Sequence, residues 1–110
     1  LGMSYASNTA GLLRRARALG ARWLPDRSLD EAEDEVESLA RLCEVVHLSI
    51  DLDVLPASVL PGVSAPAGRG VPLEVVERLI ALVLRTGKVA AVDVVELAPG
   101  LDPVGWSARV

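Results

Sequence analysis

The residues best suited to chemistry stand where an apolar run ends: Asp51 and Asp53 follow the segment 45–50, Val-Val-His-Leu-Ser-Ile. Such a run is typical of a strand buried on both faces of a parallel sheet. Side chains two apart on a strand point the same way, so we expect both carboxylates on one side of the strand's carboxyl end. Open α/β sheets place their ligand sites there, and two converging anions favour a hard divalent cation. In a simpler interpretation, one of the two only caps the next turn.

Three other features have structural rather than catalytic interpretations. His47 falls on the same side of the predicted strand as Ser49, and we expect a core or edge histidine with one hydrogen bond rather than a metal ligand. Cys43 is predicted to be a core thiol, since the sequence shows no base or cation to activate it. A single cysteine fits a reducing, cytoplasmic location. The acidic run 31–37 is typical of a solvated helix start, because carboxylates favour the positive end of a helix.

A second strand that ends in a carboxylate follows further along the chain. The sequence predicts a buried strand over Val89–Val95, with Glu96 directly after it. Between the two strands lie a loop rich in proline and glycine, 52–71, and a helix that begins at Pro72 and is terminated by Gly87. Because a βαβ unit joins parallel strands, Glu96 should lie at the same sheet edge as the two aspartates. The residues alone therefore predict a site of three carboxylates beside a long loop.

Two helices are predicted upstream. The first is capped by Ser7–Thr9 and ended by Gly20, and the second begins at a capping box, Ser28–Glu31. Short strands are expected at 1–5 and 21–24. The apolar stripes that these helices should bury are Leu12, Leu13, Ala16 and Leu19 in the first, and Leu29, Ala32, Val36, Leu39, Ala40 and Cys43 in the second.

The composition is that of one small globular domain. Of 110 residues, 51% are hydrophobic and 24% are charged, which argues against disorder. The net charge of −4 leaves no basic footprint for nucleic acid, and no apolar run is long enough to cross a membrane. The chain opens without a methionine and ends at 107–110 in a predicted first helical turn. We therefore expect a fragment whose core is completed by further sequence.

Four segments resemble the C-terminal portion of the ureohydrolase superfamily, which includes arginases, agmatinases and formimidoylglutamases: 49–53 (SIDLD), 61–66 (PGVSAP), Gly70 and 93–99 (DVVELAP). Within these, 53–57 and 61–67 are most similar to bacterial formimidoylglutamases. The resemblance implies a three-layer α-β-α arginase-like fold with a parallel sheet. Residues 1–110 would form the C-terminal part of a single domain in that fold.

The same resemblance implies a binuclear manganese hydrolase of linear amidines, with two Mn²⁺ ions in each complete active site. Asp51 and Asp53 match two metal-binding aspartates of the family, which makes them catalytic as well. Glu96 matches the glutamate that binds amidine or guanidine nitrogens, and Ser64 lies in the loop beside this small-molecule substrate. Arg69, in the same loop, could pair with a substrate carboxylate, since guanidinium and carboxylate form paired hydrogen bonds.

The implied reaction is hydrolysis of N-formimidoyl-L-glutamate to L-glutamate and formamide in histidine catabolism. Arginases and agmatinases usually have Asp where Leu55 stands, which points towards the formimidoylglutamase type, and Asn where Ala98 stands. The family's other ligands, two His and two Asp, lie upstream, so this chain alone should not build the site. The complete protein could form a homo-oligomer, as family members commonly do. Two alternatives stay open: an agmatinase- or arginase-like enzyme that releases urea from a guanidino substrate, and a non-catalytic small α/β module.

Overall fold

The computed structural model describes residues 2–3, 8–25, 31–102 and 104–110. Its helices and strands, in chain order, are β1 (Gly2–Met3), α1 (Ala10–Ala18), β2 (Leu24–Pro25), α2 (Ala32–Leu42), β3 (Val46–Asp51), α3 (Leu73–Arg85) and β4 (Val89–Val95). Short 3₁₀ turns lie at Leu52–Val54, Pro99–Leu101 and Ser107–Arg109. The strands form two parallel pairs, β1 with β2 and β3 with β4, so the predicted α/β class is confirmed.

The β3–β4 pair is the part of the fold that positions the candidate site. The two strands are parallel, with Ser49 opposite Asp93, and α3 connects them as the predicted βαβ unit requires. β4 has the predicted bounds, whereas α3 begins one residue late because Pro72 is its cap, with extended backbone (ψ 140°). Gly87 follows α3 with a φ of 67°, the left-handed conformation that glycine adopts without a steric penalty.

One face of this sheet is covered by helices. Ala32 and Val36 of α2 meet Leu79 and Val83 of α3 in a buried core cluster, and Leu48 of β3 packs against it. The burial of Ala32 and Val36 confirms the central part of the stripe predicted for α2. Burial of an aliphatic side chain contributes about 1.5–3 kcal/mol, so this cluster holds the sheet firmly against α2 and α3.

The opposite face is open in the described part of the chain, which corrects the prediction of strands buried on both faces. His47, Ser49 and Asp51 are exposed, whereas the residues between them are half-buried. On β4, Val95 pairs with Asp51 on this open face and is 38% exposed. Val92 and Val94 pair with Leu48 and Ile50 on the other face, and they are still 52% and 58% exposed, so the helices cover β3 more completely than β4. The open face is uncovered because α2 and α3 pack on one side of β3 only. An apolar run identifies a strand that can be buried, and it does not supply what covers the second face.

The first helix differs from its predicted packing in the same way. Thr9 caps α1, with its hydroxyl accepting a hydrogen bond from the Leu12 N–H at 3.2 Å, and Gly20 follows with a φ of 69°. Both features were predicted. However, no residue of α1 is buried, and Leu12 and Leu19 are 51% and 73% exposed. Helical spacing therefore gave the correct element and cap but the wrong burial.

The remaining upstream predictions have mixed outcomes. The second strand lies at Leu24–Pro25 rather than 21–24. Of the predicted strand 1–5 the structure describes Gly2–Met3, and most of the capping box, 28–30, falls outside the described residues, as does Ser7. Within the described ranges, no helix is long and apolar enough to cross a membrane.

The acidic start of α2 is a solvated surface, as predicted. Glu33 pairs with Arg78 of α3 at 2.7 Å, and Glu35 pairs with Arg22 at 2.5 Å. Exposed pairs of this kind contribute little to stability, so they mark a surface rather than a binding site. Cys43, just after α2, is half-buried and forms no disulfide.

Candidate functional site

The two aspartates lie where β3 turns into a 3₁₀ helix. Asp51 is the last residue of β3 and is exposed, while Asp53 is half-buried inside the turn Leu52–Val54. The Asp53 N–H donates a hydrogen bond to Asp51 Oδ1 at 3.2 Å, so Asp51 caps the turn. The simpler of the two sequence interpretations is therefore correct for one oxygen of Asp51. That bond leaves the other carboxylate oxygen available to a ligand.

The charges of Asp51 and Glu96 both act on the carboxyl group of Asp53. Partial burial raises the pKa of Asp53, and the neighbouring charge of Asp51, its hydrogen bond and the charge of Glu96 raise it further. The parallel pairing of β3 and β4 places all three residues at the same end of the sheet, as the βαβ unit predicts. Among the described residues, neither aspartate forms an ion pair with a cationic side chain. An uncompensated group of oxygen donors suits a hard divalent cation, which would relieve this repulsion.

The chain supplies only part of a metal site. Within the described ranges, no group of three His, Cys, Asp or Glu side chains is arranged to hold a metal ion. Asp51 and Asp53 fit two positions of a ligand set, and the geometry around Glu96 points to a different task.

Glu96 has an unusual backbone. It follows β4 with a φ of 71°, the one non-glycine residue with positive φ in the described part of the chain. The left-handed conformation costs an L-residue roughly 1–2 kcal/mol, and such strain concentrates where function requires a particular side-chain direction. Ser64 Oγ donates a hydrogen bond to Glu96 Oε2 at 2.5 Å. Nothing in the local sequence indicates this backbone conformation.

The loop that carries Ser64 is anchored next to Glu96. Val63 forms an antiparallel bridge with Leu97, and the Ala98 N–H donates to the Gly62 carbonyl oxygen at 2.8 Å. Val63 is almost completely buried, in a second core cluster formed by Leu55, Leu60 and Val63. The position of the Ser64 hydroxyl therefore follows from backbone pairing and from this cluster.

Arg69 is not bonded to the three carboxylates. Its side chain is exposed, and in the described ranges no hydrogen bond or ion pair joins it to Asp51, Asp53 or Glu96. It lies between Gly68 and Gly70 on the same loop as Ser64. Of the five predicted site residues, hydrogen bonds join Asp51 with Asp53 and Ser64 with Glu96.

A polar group that the sequence analysis missed lies behind the site. Asp93 of β4 is bonded to His47 Nε2 at 2.5 Å and accepts a hydrogen bond from Ser49 Oγ at 2.5 Å. The Ser49 and His47 hydrogen bonds lower the pKa of Asp93. His47 thus has the single hydrogen bond expected of it. One signal for this group was present, namely a lone carboxylate within the apolar strand Val89–Val95.

Comparison with known proteins identifies the family of the chain. The model of the arginase family matches residues 2–110. The formimidoylglutamase of Ralstonia nicotianae is 46% identical over 115 residues, which cover 100% of this chain and 35% of that protein. The formimidoylglutamase of Nocardia farcinica is 50% identical over 111 residues, covering 99% and 36%. The chain thus spans a little over a third of the length of these curated relatives.

Solved structures agree on the fold. The formimidoylglutamase from Bacillus subtilis subsp. subtilis str. 168 superposes with a TM-score of 0.90 at 22% identity, over 99% of this chain and 36% of that one. Arginase from Bacillus caldovelox gives a TM-score of 0.80 at 24% identity, over 91% and 36%. The predicted three-layer arginase-like fold is confirmed by these matches. With the family model matching nearly every residue, the chain belongs to the arginase family.

Proposed function

We propose that this chain is part of a manganese-dependent formimidoylglutamase, which hydrolyses N-formimidoyl-L-glutamate to L-glutamate and formamide in histidine catabolism. The observation that carries the proposal is the placement of Asp51, Asp53 and Glu96 at one end of the parallel β3–β4 pair, with Ser64 bonded to Glu96. The identity of 46–50% to formimidoylglutamases over the whole chain supports the choice of substrate.

In this proposal, the metal ligands are shared between this chain and a preceding part of a longer protein. Residues 1–110 would form the C-terminal part of one domain, and the remaining metal ligands would come from residues that precede them. The share of the relatives that the chain covers, 35–36%, supports this division. We expect the 110 residues alone to be inactive.

We also propose a cytoplasmic enzyme that acts on a small molecule and binds neither nucleic acid nor membrane. The complete protein could be a homo-oligomer.

In this proposal Asp51 and Asp53 would hold two Mn²⁺ ions together with the other ligands. When bound, the ions would activate a water molecule at neutral pH and orient it. Asp51 already uses one oxygen to cap the turn of Asp53, so its side chain is fixed relative to the Asp53 backbone before any ion binds. Such preorganisation lowers the cost of collecting the ligands.

Glu96 would bind the amidinium group of the substrate. Ser64 occupies Glu96 Oε2, which leaves Oε1 and the second lone pair of Oε2 to accept hydrogen bonds from planar N–H donors. A carboxylate there neutralises the cation and fixes the direction of the amidine carbon. Hydrolysis then breaks the bond between that carbon and the glutamate nitrogen. One water is consumed, formamide carries the carbon, and glutamate keeps its amine.

Arg69 would bind a carboxylate of the glutamyl part. It is exposed on the loop that carries Ser64, and no other described residue engages its guanidinium. Leu55, by contrast, is buried at 2% exposure in the second core cluster, so its influence on substrate choice would act through loop packing.

The experiment is a product assay on the protein in its full natural length with added Mn²⁺. We expect formamide and glutamate from N-formimidoyl-L-glutamate, a loss of at least a hundredfold in Glu96→Gln, and a raised KM in Arg69→Ala that Arg69→Lys partly restores. Release of urea from agmatine or arginine, in place of formamide, would support the agmatinase- or arginase-like alternative. No hydrolysis of either class would support the non-catalytic module.

A further inference from the structure

A buried polar pair lies near the end of the chain and has no role in the chemistry proposed above. In the described part of the chain, the buried polar or charged residues are Asp102, at 6% exposure, and Ser107, at 4%. The Ser107 N–H donates to Asp102 Oδ2 at 2.5 Å. Hydrogen bonds from the backbone and side chain of Ser107, and from the backbone of Trp106 and Val104, lower the pKa of Asp102. A buried carboxylate with this many donors is charged and rigidly held.

The Ser107 hydroxyl connects this carboxylate to the loop that carries Ser64. Its Oγ accepts a hydrogen bond from the Gly62 N–H at 2.8 Å in a buried position, while the backbone N–H of the same residue donates to Asp102. The carboxylate therefore holds the residue whose hydroxyl accepts from Gly62.

The packing around Gly62 is equally specific. A Cβ at this position would lie 2.7 Å from Ser107 Oγ and 2.8 Å from Asp102 Cβ, so no larger residue fits without movement. On its other side, the Gly62 carbonyl accepts from the Ala98 N–H at 2.8 Å. The backbone of Gly62 is thus held from two directions, two residues before the hydroxyl of Ser64.

We propose that Asp102 and Ser107 are positioning residues for substrate binding. They hold Gly62 so that the Ser64 hydroxyl stays bonded to Glu96 and the free lone pairs of Glu96 face the substrate. The catalytic consequence rests on the proposed function, whereas the clamp on Gly62 does not.

The test compares Ser107→Ala with the conservative Ser107→Thr in the full-length protein. The loss of a buried hydrogen-bond partner is worth about tenfold in an equilibrium, so we expect KM for N-formimidoyl-L-glutamate to rise about tenfold in S107A. We expect kcat and manganese content to stay within threefold of the parent. S107T keeps the hydroxyl and should restore KM. A fall in kcat alone, with KM unchanged, would overturn the positioning role.

A double-mutant cycle separates positioning from general packing. If Ser107 acts through Ser64, then S107A should raise KM no further in a Ser64→Ala background. The same tenfold rise in both backgrounds would overturn the proposal. Asp102→Asn, which keeps the shape of the side chain and one acceptor oxygen, should give a smaller rise with the same coupling. It provides a second route to the answer if S107A does not fold.

Amide hydrogen exchange tests the clamp independently of activity. The Gly62 N–H should exchange slowly in the parent and in S107T, and at least tenfold faster in S107A. If the parent proves inactive on formimidoylglutamate, the proposed function fails, and this measurement still decides the clamp. Equal protection of Gly62 in the parent and S107A would show that the clamp does not exist.

Discussion

At the scale of single residues, Glu96 combines a strained backbone with the carboxylate that we propose binds substrate. Its φ of 71° is held by the Val63–Leu97 bridge and the Ala98 hydrogen bond on its C-terminal side. The sequence allowed Glu96 to be placed at the correct sheet edge, because strand order and parallel pairing follow from a βαβ pattern. It could not reveal the strain, since that arises from long-range pairing rather than from local residue types.

The strain gives a stability prediction with a matched pair of variants. Glu96→Ala and Glu96→Gly both lose the Ser64 hydrogen bond, so their difference reports the backbone alone. The alanine variant incurs the left-handed penalty of roughly 1–2 kcal/mol. The glycine variant avoids that penalty but loses more conformational entropy on folding, so it should be about 0.5–1 kcal/mol more stable. Urea denaturation of the full-length protein measures this difference. An alanine variant equal to or more stable than the glycine variant would contradict a strained Glu96.

Asp93 gives a pH-dependent prediction. Hydrogen bonds from Ser49 and His47 hold its folded pKa below the usual value of 3.8, so the folded state binds the proton more weakly than the unfolded state. The stabilisation is therefore present above the usual pKa and is lost as pH falls through the lowered folded value. In Asp93→Asn this contribution is absent.

The measurement is the free energy of unfolding of the parent and of Asp93→Asn, made in the presence of a metal chelator. It covers about pH 3 to pH 5, around the ordinary aspartate pKa. The difference between them should shrink as the pH falls. Asp34→Asn on the exposed face of α2 serves as the control. A parent-to-variant difference that stays constant or grows on acidification would show that the Asp93 hydrogen bonds are not formed.

Among the helices and strands, the sequence was most informative where an apolar pattern is bounded by a capping or helix-terminating residue. β4, the Gly87 terminus and the Thr9 cap follow directly from residue types. Burial was less predictable, because apolar spacing identifies the face of an element but not the residues that pack on it. The exposed helix α1 and the open face of β3 are two examples. The Asp93 network needed the cross-strand register, which a sequence does not state.

The long loop 52–71 is better ordered than its lack of periodicity suggests. Pro56 forms a parallel bridge with Ala67, and the Val71 N–H donates to the Val54 carbonyl oxygen at 2.7 Å. Gly70 closes this arrangement with a φ of 57°, and a Cβ there would overlap the backbone of Leu55 and Pro56. The loop that carries Ser64 and Arg69 is therefore held in one conformation by backbone pairing and close packing.

Gly70 and Gly68 provide a matched test of that scaffold. Gly70→Ala meets both a positive φ and a backbone overlap, so it should lose roughly 1–3 kcal/mol or more of stability. In Gly68→Ala the added Cβ has no neighbour within 4 Å, and we expect a change within about 0.5 kcal/mol. Chemical denaturation of the two full-length variants measures both. Equal effects would show that the Leu55–Gly70 contact is not tight.

At the scale of the whole molecule, the chain belongs to the arginase family but spans a little over a third of its curated relatives. The sheet face that bears His47, Ser49 and Asp51 is open in the described part of the chain. Asp51 and Asp53 supply a partial ligand set within those ranges. A binuclear site on this chain therefore requires ligands from elsewhere, as the resemblance implies.

The manganese content of the full-length protein, measured with formamide release in the same preparations, tests the proposed metal site. We compare the parent, Asp51→Ala, Asp53→Ala and the control Asp34→Ala, each confirmed to be folded. We expect about two Mn²⁺ ions per chain in the parent and the control, as in other two-metal sites. Each site variant should lose bound metal and at least a hundredfold in formamide release. Undiminished metal content in both Asp51→Ala and Asp53→Ala would contradict the proposal that these aspartates bind the metal.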